Sequence, residues 1–201
     1  MARRVVVTGI GVVAAPGATR ETFWNCLVEG RSAIGPLRAV PEGSLRFPNA
    51  AEVPGFDPAR LLDPKYADFL DRFSQFALIA AREAVADAEI VFNAANGHRA
   101  AVITGSSVGG ILSEDQQFRI LYQRGESRIH PLTIARTMAN AGAACVAQEY
   151  GITGPSMNIS TACSSSTHAI GQAFWMLRNG VADTAIAGGS EAPLSLGFLK
   201  A

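Results

Sequence analysis

The sequence contains few cysteines and no excess of positive or negative charge. The three cysteines, Cys26, Cys145 and Cys163, are widely spaced and odd in number, which argues against a disulfide framework and favours a reducing, cytoplasmic setting. The 17 basic residues balance the 17 acidic ones, so the net charge gives no electrostatic signature of a nucleic-acid or membrane partner. No C-x-x-C or H-x-x-x-H spacing is present, and we therefore expect no bound metal.

Long hydrophobic segments are also absent. No apolar run approaches the ~20 residues that a helix needs to cross a bilayer. Near the N-terminus, Arg3 and Arg4 precede the apolar residues 5–15, an order that also occurs in signal peptides. Gly9 and Gly11 interrupt this run and valine is frequent in it, so we interpret it as a buried parallel strand followed by a glycine turn. We expect a soluble protein.

Strand and helix patterns alternate along the chain, which is typical of a parallel or mixed sheet covered by helices. A chain of 201 residues is one large domain or two small ones, long enough to bury a core. The patterns predict strands at residues 4–13, 99–104, 157–161 and 183–187. They predict helices at residues 19–29 (with Thr19 or Thr22 near the cap), 64–88, 111–124, 131–150 and from Cys163 to about Asn179. Residues 31–63, rich in proline and glycine, predict a long irregular connection.

The clearest helical periodicity lies in residues 64–88. One apolar face recurs at helical spacing and consists of Phe69, Phe73, Phe76, Ala77, Ala80 and Ala84. We interpret this face as core packing and not as a ligand site.

The segment around Cys163 is the best candidate for a reactive site. The β-prone residues 157–161 lead into Cys163, and small helix-compatible residues follow at once. We therefore expect a sharp strand-to-helix turn with Cys163 at the N-terminus of the helix. The unpaired N–H groups and the helix dipole at such a position favour the thiolate, which is the nucleophilic form for acyl transfer. The alternative is a buried structural cysteine, and the residues alone leave both interpretations open.

Two glycine-rich segments invite comparison with cofactor-binding loops. Residues 9–14 match the loose form of the dinucleotide fingerprint, but Pro16 and Gly17 interrupt the helix that would hold a pyrophosphate. We therefore interpret Gly9 and Gly11 as positions of tight packing. Residues 105–110 lack the Lys-Ser/Thr pair of a phosphate-binding loop. No cofactor is predicted.

No histidine is placed as a local base for Cys163. His168 lies five residues further on, roughly 140° around the helix, so we expect it to pack or to form a hydrogen bond. We expect His98 to lie in a solvated turn, and His130, which precedes Pro131, to mark a helix start.

The sequence of residues 158–171, NISTACSSSTHAIG, resembles the nucleophile motif of the β-ketoacyl synthases. These are the decarboxylating condensing enzymes of fatty-acid and polyketide assembly. Five more segments resemble motifs of this family in the family's order: residues 5–13, 71–77, 105–110, 151–155 and 187–192. Together they cover nearly the whole chain, and they resemble in particular the bacterial elongating synthases of the type II, discrete-protein kind. The resemblance implies an α/β protein of the thiolase-like fold, in which two similar halves form an α-β-α-β-α layered body. Residues 1–201 would be the N-terminal β-ketoacyl synthase domain, without the C-terminal half.

The resemblance also implies a reaction. Cys163 would take an acyl group from an acyl-carrier-protein thioester. A malonyl thioester would then lose CO₂, and its carbanion would attack the acyl-Cys to give a β-keto thioester longer by two carbons. The backbone N–H of Cys163 would be one oxyanion donor. Val108 and Thr133 match positions that line the acyl tunnel and its dimer-side end, and the family likeness implies a homodimer paired through residues 157–161.

The resembled enzymes draw two catalytic histidines, a lysine and part of the oxyanion hole from a C-terminal half. This chain ends at Ala201, before any of those motifs, so we expect it to be inactive in condensation by itself. One alternative is a non-catalytic fragment, or a subunit that only dimerises or completes its fold with a partner half. A cysteine acyl hydrolase is disfavoured, because no Cys-His-Asn/Asp arrangement can be assigned.

Overall fold

The computed structural model describes residues 3–201, in which helices and strands alternate. In chain order the elements are α1 (Arg20–Val28), β1 (Gly35–Pro36), β2 (Asn49–Ala50), α2 (Pro58–Leu61), α3 (Pro64–Phe69), α4 (Arg72–Asp87), β3 (Ala100–Gly105), α5 (Ile111–Gln123), α6 (Thr133–Thr137), α7 (Ala141–Tyr150), β4 (Ser156–Ile159), α8 (Ser165–Arg178), β5 (Thr184–Gly189) and α9 (Leu196–Lys200). A single 3-10 turn spans Gly97–Arg99. Within the described residues, no helix combines the length and the apolar character that a membrane span requires.

Strand β3 is the centre of a three-stranded parallel sheet with the order β4-β3-β5. Val102 and Ile103 are 0% exposed, as expected of a strand that is covered on both faces. The register pairs Gly105 with Ile159 of β4 and with Gly189 of β5, so the three strands end at the same level. Their carboxyl ends therefore form one edge, which is where open α/β sheets bind ligands.

Helices cover both faces of this sheet. Val102 packs in one core with Leu78 of α4 and Val146 of α7. Ile103, the next residue, packs in a second core with Ala169 of α8. This alternation follows from the pleat, which turns successive side chains to opposite faces. The result is a three-layered α/β/α unit.

Most of the predicted elements are confirmed within a few residues. Strands β3, β4 and β5 correspond to the predicted runs at residues 99–104, 157–161 and 183–187, and β5 continues to Gly189. The helix predicted at residues 19–29 is α1, and the hydroxyl of its N-cap residue Thr19 accepts a hydrogen bond from the backbone N–H of Thr22 at 3.2 Å. The connection predicted at residues 31–63 is largely irregular, with only the two-residue strands β1 and β2 and the single turn of α2. Helix α9 was not predicted.

The strand predicted at residues 4–13 is wrong. Among the described residues this segment pairs with no strand, and Val7 is 81% exposed. Its backbone turns instead to helix α4: the N–H of Ile10 donates to Asp87 Oδ2 at 2.9 Å, and the N–H of Val12 donates to Glu83 Oε2 at 2.8 Å. Because these alternate N–H groups are bound by carboxylates, they form no ladder with a neighbouring strand.

The interpretation of Gly9 and Gly11 as positions of tight packing is confirmed. A Cβ on Gly11 would lie 1.8 Å from the carbonyl oxygen of Ala80, and one on Gly9 would lie 2.1 Å from that of Ala84. Both distances are far below van der Waals contact, so only glycine lets the segment lie this close to α4.

The helix predicted at residues 64–88 is two helices, α3 and α4. They separate at Asp71, whose backbone is extended and whose Oδ1 accepts from the N–H of Phe73 at 3.2 Å as the N-cap of α4. Its other oxygen, Oδ2, accepts from the N–H of Ser113 in the first turn of α5 at 2.7 Å. Asp71 is 2% exposed, so one buried carboxylate caps the starts of two helices.

The break also changes the predicted apolar face. Phe73 is buried as predicted, whereas Phe69, on the other side of the break, is 51% exposed. The helix predicted at residues 131–150 is likewise two helices, α6 and α7, which separate at Met138, where the backbone is extended (φ −60°, ψ 130°).

Candidate active site

Cys163 lies on the turn between strand β4 and helix α8, as predicted. Its side chain is exposed, and the helix begins two residues later at Ser165. Ala162, just before it, has φ +53°, a left-handed conformation that costs a non-glycine residue about 1–2 kcal/mol. Such a conformation persists only where the surrounding structure enforces it.

Hydroxyl groups of the helix start enforce this turn. Ser165 Oγ donates to the carbonyl oxygen of Ala162 at 2.6 Å and accepts from the N–H of Thr161 at 2.9 Å. Ser164 Oγ donates to the carbonyl oxygen of Thr161 at 2.7 Å. These bonds satisfy backbone groups on both sides of Ala162 and so fix the chain that carries Cys163.

The glycines at the ends of β3 and β5 allow helix α8 to begin directly above the edge of the sheet. A Cβ on Gly105 would lie 2.4 Å from the carbonyl carbon of Ser165. A Cβ on Gly189 would lie 2.7 Å from the Cβ of Ser166. Both strands must therefore end in glycine for Cys163 to lie beside them.

The loop from β3 to α5 is held by a carboxylate on the far side of the site. Glu191, two residues beyond β5, accepts hydrogen bonds at Oε1 from the hydroxyl of Ser106 at 2.6 Å and from the N–H of Ser107 at 2.5 Å. Ser106 is 1% exposed, and its hydroxyl also accepts from the N–H of Gly109 at 3.0 Å. Ser107 in turn donates through Oγ to the carbonyl oxygen of Ala162 at 3.1 Å.

These three loops line an open cavity of about 210 Å³ at the carboxyl edge of the sheet. Its lining consists of glycine, alanine, serine, one cysteine and one glutamate: Gly105, Ser107, Ala162, Cys163, Ser165, Ser166, Gly189, Ser190 and Glu191. Small side chains leave room for a substrate beside the thiol. Cys163 is the only one of the predicted site residues in this lining.

The other two predicted site residues lie outside this cavity. Val108 is half-buried on the loop after β3, and Thr133 is 3% exposed at the start of α6, where its hydroxyl donates to the carbonyl oxygen of His130 at 2.6 Å. The two segments approach each other closely, because a Cβ on Gly110 would lie 2.1 Å from the carbonyl oxygen of Arg136.

The other two cysteines are shielded. Cys145 is 4% exposed within α7, and burial raises the pKa of its thiol to about 12. Cys26 is 3% exposed, and its thiol donates to the carbonyl oxygen of Arg31 at 3.3 Å. Of the three cysteines, Cys163 is therefore the only one with an exposed side chain.

No histidine lines the cavity around Cys163. His168 Nδ1 lies 2.7 Å from the hydroxyl oxygen of Thr161, which confirms the hydrogen-bonding role expected for it. His130 lies before α6, where its Nδ1 accepts from the N–H of Leu132 at 3.2 Å, and His98 is exposed in the 3-10 turn. In residues 3–201, no three histidine, cysteine or acidic side chains lie close enough together to hold a metal ion.

Sequence reasoning missed the residues that support Cys163. The supporting residues belong to segments that resemble family motifs, namely Ser106, Ser107 and Glu191. No local sequence pattern indicates that these side chains contact one another. Their position in the sequence could have identified them, because they follow the ends of strands in a parallel sheet, and the carboxyl ends of such strands lie at one edge.

The sequence profile described as "Beta-ketoacyl synthase, N-terminal domain" matches residues 2–199. The chain belongs to this family. Its members are condensing enzymes of fatty-acid and polyketide synthesis, and the resemblance noted in the sequence is confirmed.

The chain is 38% identical over 203 residues to 3-oxoacyl-(acyl-carrier-protein) synthase 2 of Synechocystis sp., a match that covers 99% of this chain and 49% of that relative. It is 37% identical over 201 residues to nodulation protein E of Rhizobium meliloti, covering 100% of this chain and 50% of the relative. Among solved structures, the ishigamide ketosynthase/chain length factor superposes with a TM-score of 0.88 at 30% identity, covering 98% of this chain and 50% of that one. The chain thus has the thiolase-like fold of the ketosynthases and spans about half the length of the curated relatives it matches.

Proposed function

We propose that Cys163 is the acyl-accepting nucleophile of a β-ketoacyl synthase that elongates fatty-acid or polyketide chains with malonyl-acyl-carrier-protein. The observation that carries this proposal is the exposed thiol on an enforced strand-to-helix turn, at the edge of the sheet of a ketosynthase-family domain. Acyl transfer requires an accessible thiolate, and neither of the other two cysteines is accessible.

In the first stage, the sulfur of Cys163 attacks the carbonyl carbon of an acyl-carrier-protein thioester. The carbonyl electrons move to oxygen, and the backbone N–H of Cys163 donates a hydrogen bond to this oxyanion. The tetrahedral intermediate then collapses, the C–S bond to the carrier breaks, and the carrier leaves as a thiol after taking up a proton. The acyl group remains on Cys163.

In the second stage, a malonyl thioester loses CO₂, and the electron pair of the broken C–C bond forms a carbanion. The carbanion attacks the acyl carbonyl, the bond to Cys163 breaks, and the product is a β-keto thioester longer by two carbons. Decarboxylation requires positioned donors to stabilise the developing negative charge. The cavity offers Cys163 no histidine, so we propose that residues 1–201 form the N-terminal half of the synthase and that a C-terminal half supplies these donors.

For the acyl chain we propose a tunnel that Val108 and Thr133 help to line. In support, Val108 follows directly on Ser107, which lies in the Cys163 cavity. The close approach of Gly110 to Arg136 brings this loop against α6, whose first residue is Thr133. An acyl chain that extends from Cys163 along the loop after β3 would therefore run towards α6.

We further propose a homodimer that pairs through β4. In residues 3–201, β4 is an edge of its sheet, since β3 is its only neighbour. Its residues Ser156 and Met157 are exposed, and an exposed strand edge is a template for pairing with a second chain. The same strand leads directly into the turn with Cys163, so pairing would hold both nucleophiles near the two-fold axis.

The proposal is tested by the intact mass of the chain after incubation with an acyl-acyl-carrier-protein or a long-chain acyl-CoA. We expect one acyl group, which peptide mapping assigns to Cys163. It should be absent from Cys163→Ala and retained in Cys145→Ala and Cys26→Ala. The chain alone should release no β-keto product, whereas the chain completed with a C-terminal synthase half should do so. Acylation elsewhere, or none even in the completed protein, would contradict the proposal.

A further inference from the structure

Glu191 is the one charged side chain in the lining of the Cys163 cavity. Among the side chains that the structure describes, its carboxylate forms no ion pair with a basic group. Its partners are instead two donors of a single loop, the hydroxyl of Ser106 and the N–H of Ser107, at 2.6 and 2.5 Å.

These bonds continue to the turn of the nucleophile. Ser107, held by Glu191, donates to the carbonyl oxygen of Ala162 at 3.1 Å, and its own carbonyl oxygen accepts from Ser160 Oγ at 3.3 Å. Ser107 therefore forms hydrogen bonds with the residues on both sides of Thr161, which are Ser160 and Ala162, just before Cys163. Ala162 is the residue with the left-handed backbone, and Ser107 adds a contact from a distant loop to the local bonds that enforce it.

We infer that Glu191 is a positioning residue for acyl transfer, acting through Ser107 on the Ala162–Cys163 peptide that carries the nucleophile and its oxyanion-binding N–H. The inference rests on the proposed function and adds to it a residue of the loop that follows strand β5. Glu191 touches no reacting atom in this scheme. It fixes the angle at which the N–H of Cys163 meets the developing oxyanion.

The test compares Glu191→Ala, Glu191→Gln, Ser107→Ala and the double variant Glu191→Ala/Ser107→Ala. Glu126→Ala serves as the control because Glu126 is an exposed glutamate outside the site. Two rates are measured on Cys163: acylation by an acyl thioester, which needs the oxyanion donor, and alkylation by iodoacetamide, which needs only an accessible thiol. We expect Glu191→Ala to slow acylation at least tenfold while alkylation changes less than threefold.

The accompanying variants separate positioning from folding. Glu191→Gln retains an acceptor oxygen and should stay within threefold of the wild type in acylation. Ser107→Ala should slow acylation, and the double variant should be no slower than Glu191→Ala, because both changes break the same chain of contacts. Additive losses, equal losses in both rates, or a Glu191→Ala rate within threefold of the Glu126→Ala control would overturn the inference.

Hydrogen exchange keeps the inference testable if the proposed function fails. If wild-type Cys163 accepts no acyl group, the function is refuted, but exchange still reports on the turn. The N–H groups of Ser164 and Ser165 donate within it, to Thr161 and Ala162, at 3.2 and 3.1 Å. We expect peptides over these residues to exchange at least fivefold faster in Glu191→Ala, with wild-type rates in Glu191→Gln. Unchanged exchange in Glu191→Ala would show that Glu191 does not hold the turn.

Discussion

The three cysteines should differ sharply in their rates of alkylation, and the structure sets the scale of the difference. At pH 8 a thiol of ordinary pKa 9.0 is about one-tenth thiolate, whereas Cys145, with a pKa of about 12, is thiolate to only ~10⁻⁴. Its reaction should therefore be slower than that of an ordinary exposed thiol by about three orders of magnitude, before any loss of access is counted. Cys163 is exposed, so iodoacetamide should modify it first.

The assay is brief iodoacetamide treatment at several pH values, followed by peptide mapping. The rate for Cys145 should rise about tenfold per pH unit well beyond pH 9, since its thiolate fraction keeps growing until pH approaches its pKa. Cys26 should be slow because it is buried. In 6 M guanidinium, the three rates should converge to within a few fold, which shows that the fold causes the difference. Labelling of Cys145 ahead of Cys163 in the native protein would refute the assignment of Cys163 as the accessible nucleophile.

Three further predictions concern stability and chain length. Asp71→Ala leaves two buried N–H groups without an acceptor and should lower the free energy of unfolding by about 2–4 kcal/mol in urea titrations. Asp57→Ala removes a half-exposed cap of the one-turn helix α2 and should lower it by no more than about 1 kcal/mol. Equal losses would argue against the double cap. Gly11→Ala places a methyl group against the backbone of α4 and should lower the melting temperature. The control Gly171→Ala in α8 has open space around the new methyl group and should raise the melting temperature slightly. A Gly11→Ala protein as stable as the wild type would mean that residues 4–13 are not held against α4. In the proposed synthase completed with a C-terminal half, Val108→Phe should shorten the longest products seen by mass spectrometry and spare short primers. Each methylene excluded from the proposed tunnel would forfeit ~0.8 kcal/mol of burial. Equal loss for all primers would assign Val108 to the fold alone.

The sequence was enough to predict an element where the burial of that segment determines its own pattern of apolar residues. Strand β3 is covered on both faces, so its first four residues, Ala100 to Ile103, form a continuous apolar run that is visible without knowing its partners. The turn at Cys163 was equally visible, because a β-prone run meets small helix-compatible residues within a few positions. For this reason the turn that carries Cys163, the helix after it and the strand before it were all predicted.

Features that depend on distant residues were not predicted. Residues 4–13 have the composition of a strand, but β-propensity describes a fit to a pleated, half-buried surface and does not supply the partner. Here the N–H groups of Ile10 and Val12 are bound by carboxylates of α4 instead. The break before α4 did have a local signal, since Asp71 is a favoured N-cap residue directly before the apolar helix. The contacts of Glu191 had none, because it meets Ser106 across 85 positions of the chain.

The parallel arrangement of the sheet also bears on when this site comes into existence. The hydrogen bond between Ser107 and Ala162 joins residues 55 positions apart, and that between Ser106 and Glu191 joins residues 85 apart. Contacts so distant in sequence form late in folding, since the entropy of closing a long loop is lost before the contact can stabilise anything. A ribosome must therefore synthesise the chain beyond Glu191 before Ser106 and Ser107 can be held, and until then the turn of Cys163 has only the local bonds of Ser164 and Ser165. The surroundings of Cys163 are therefore complete only after strand β5 and Glu191 have been synthesised.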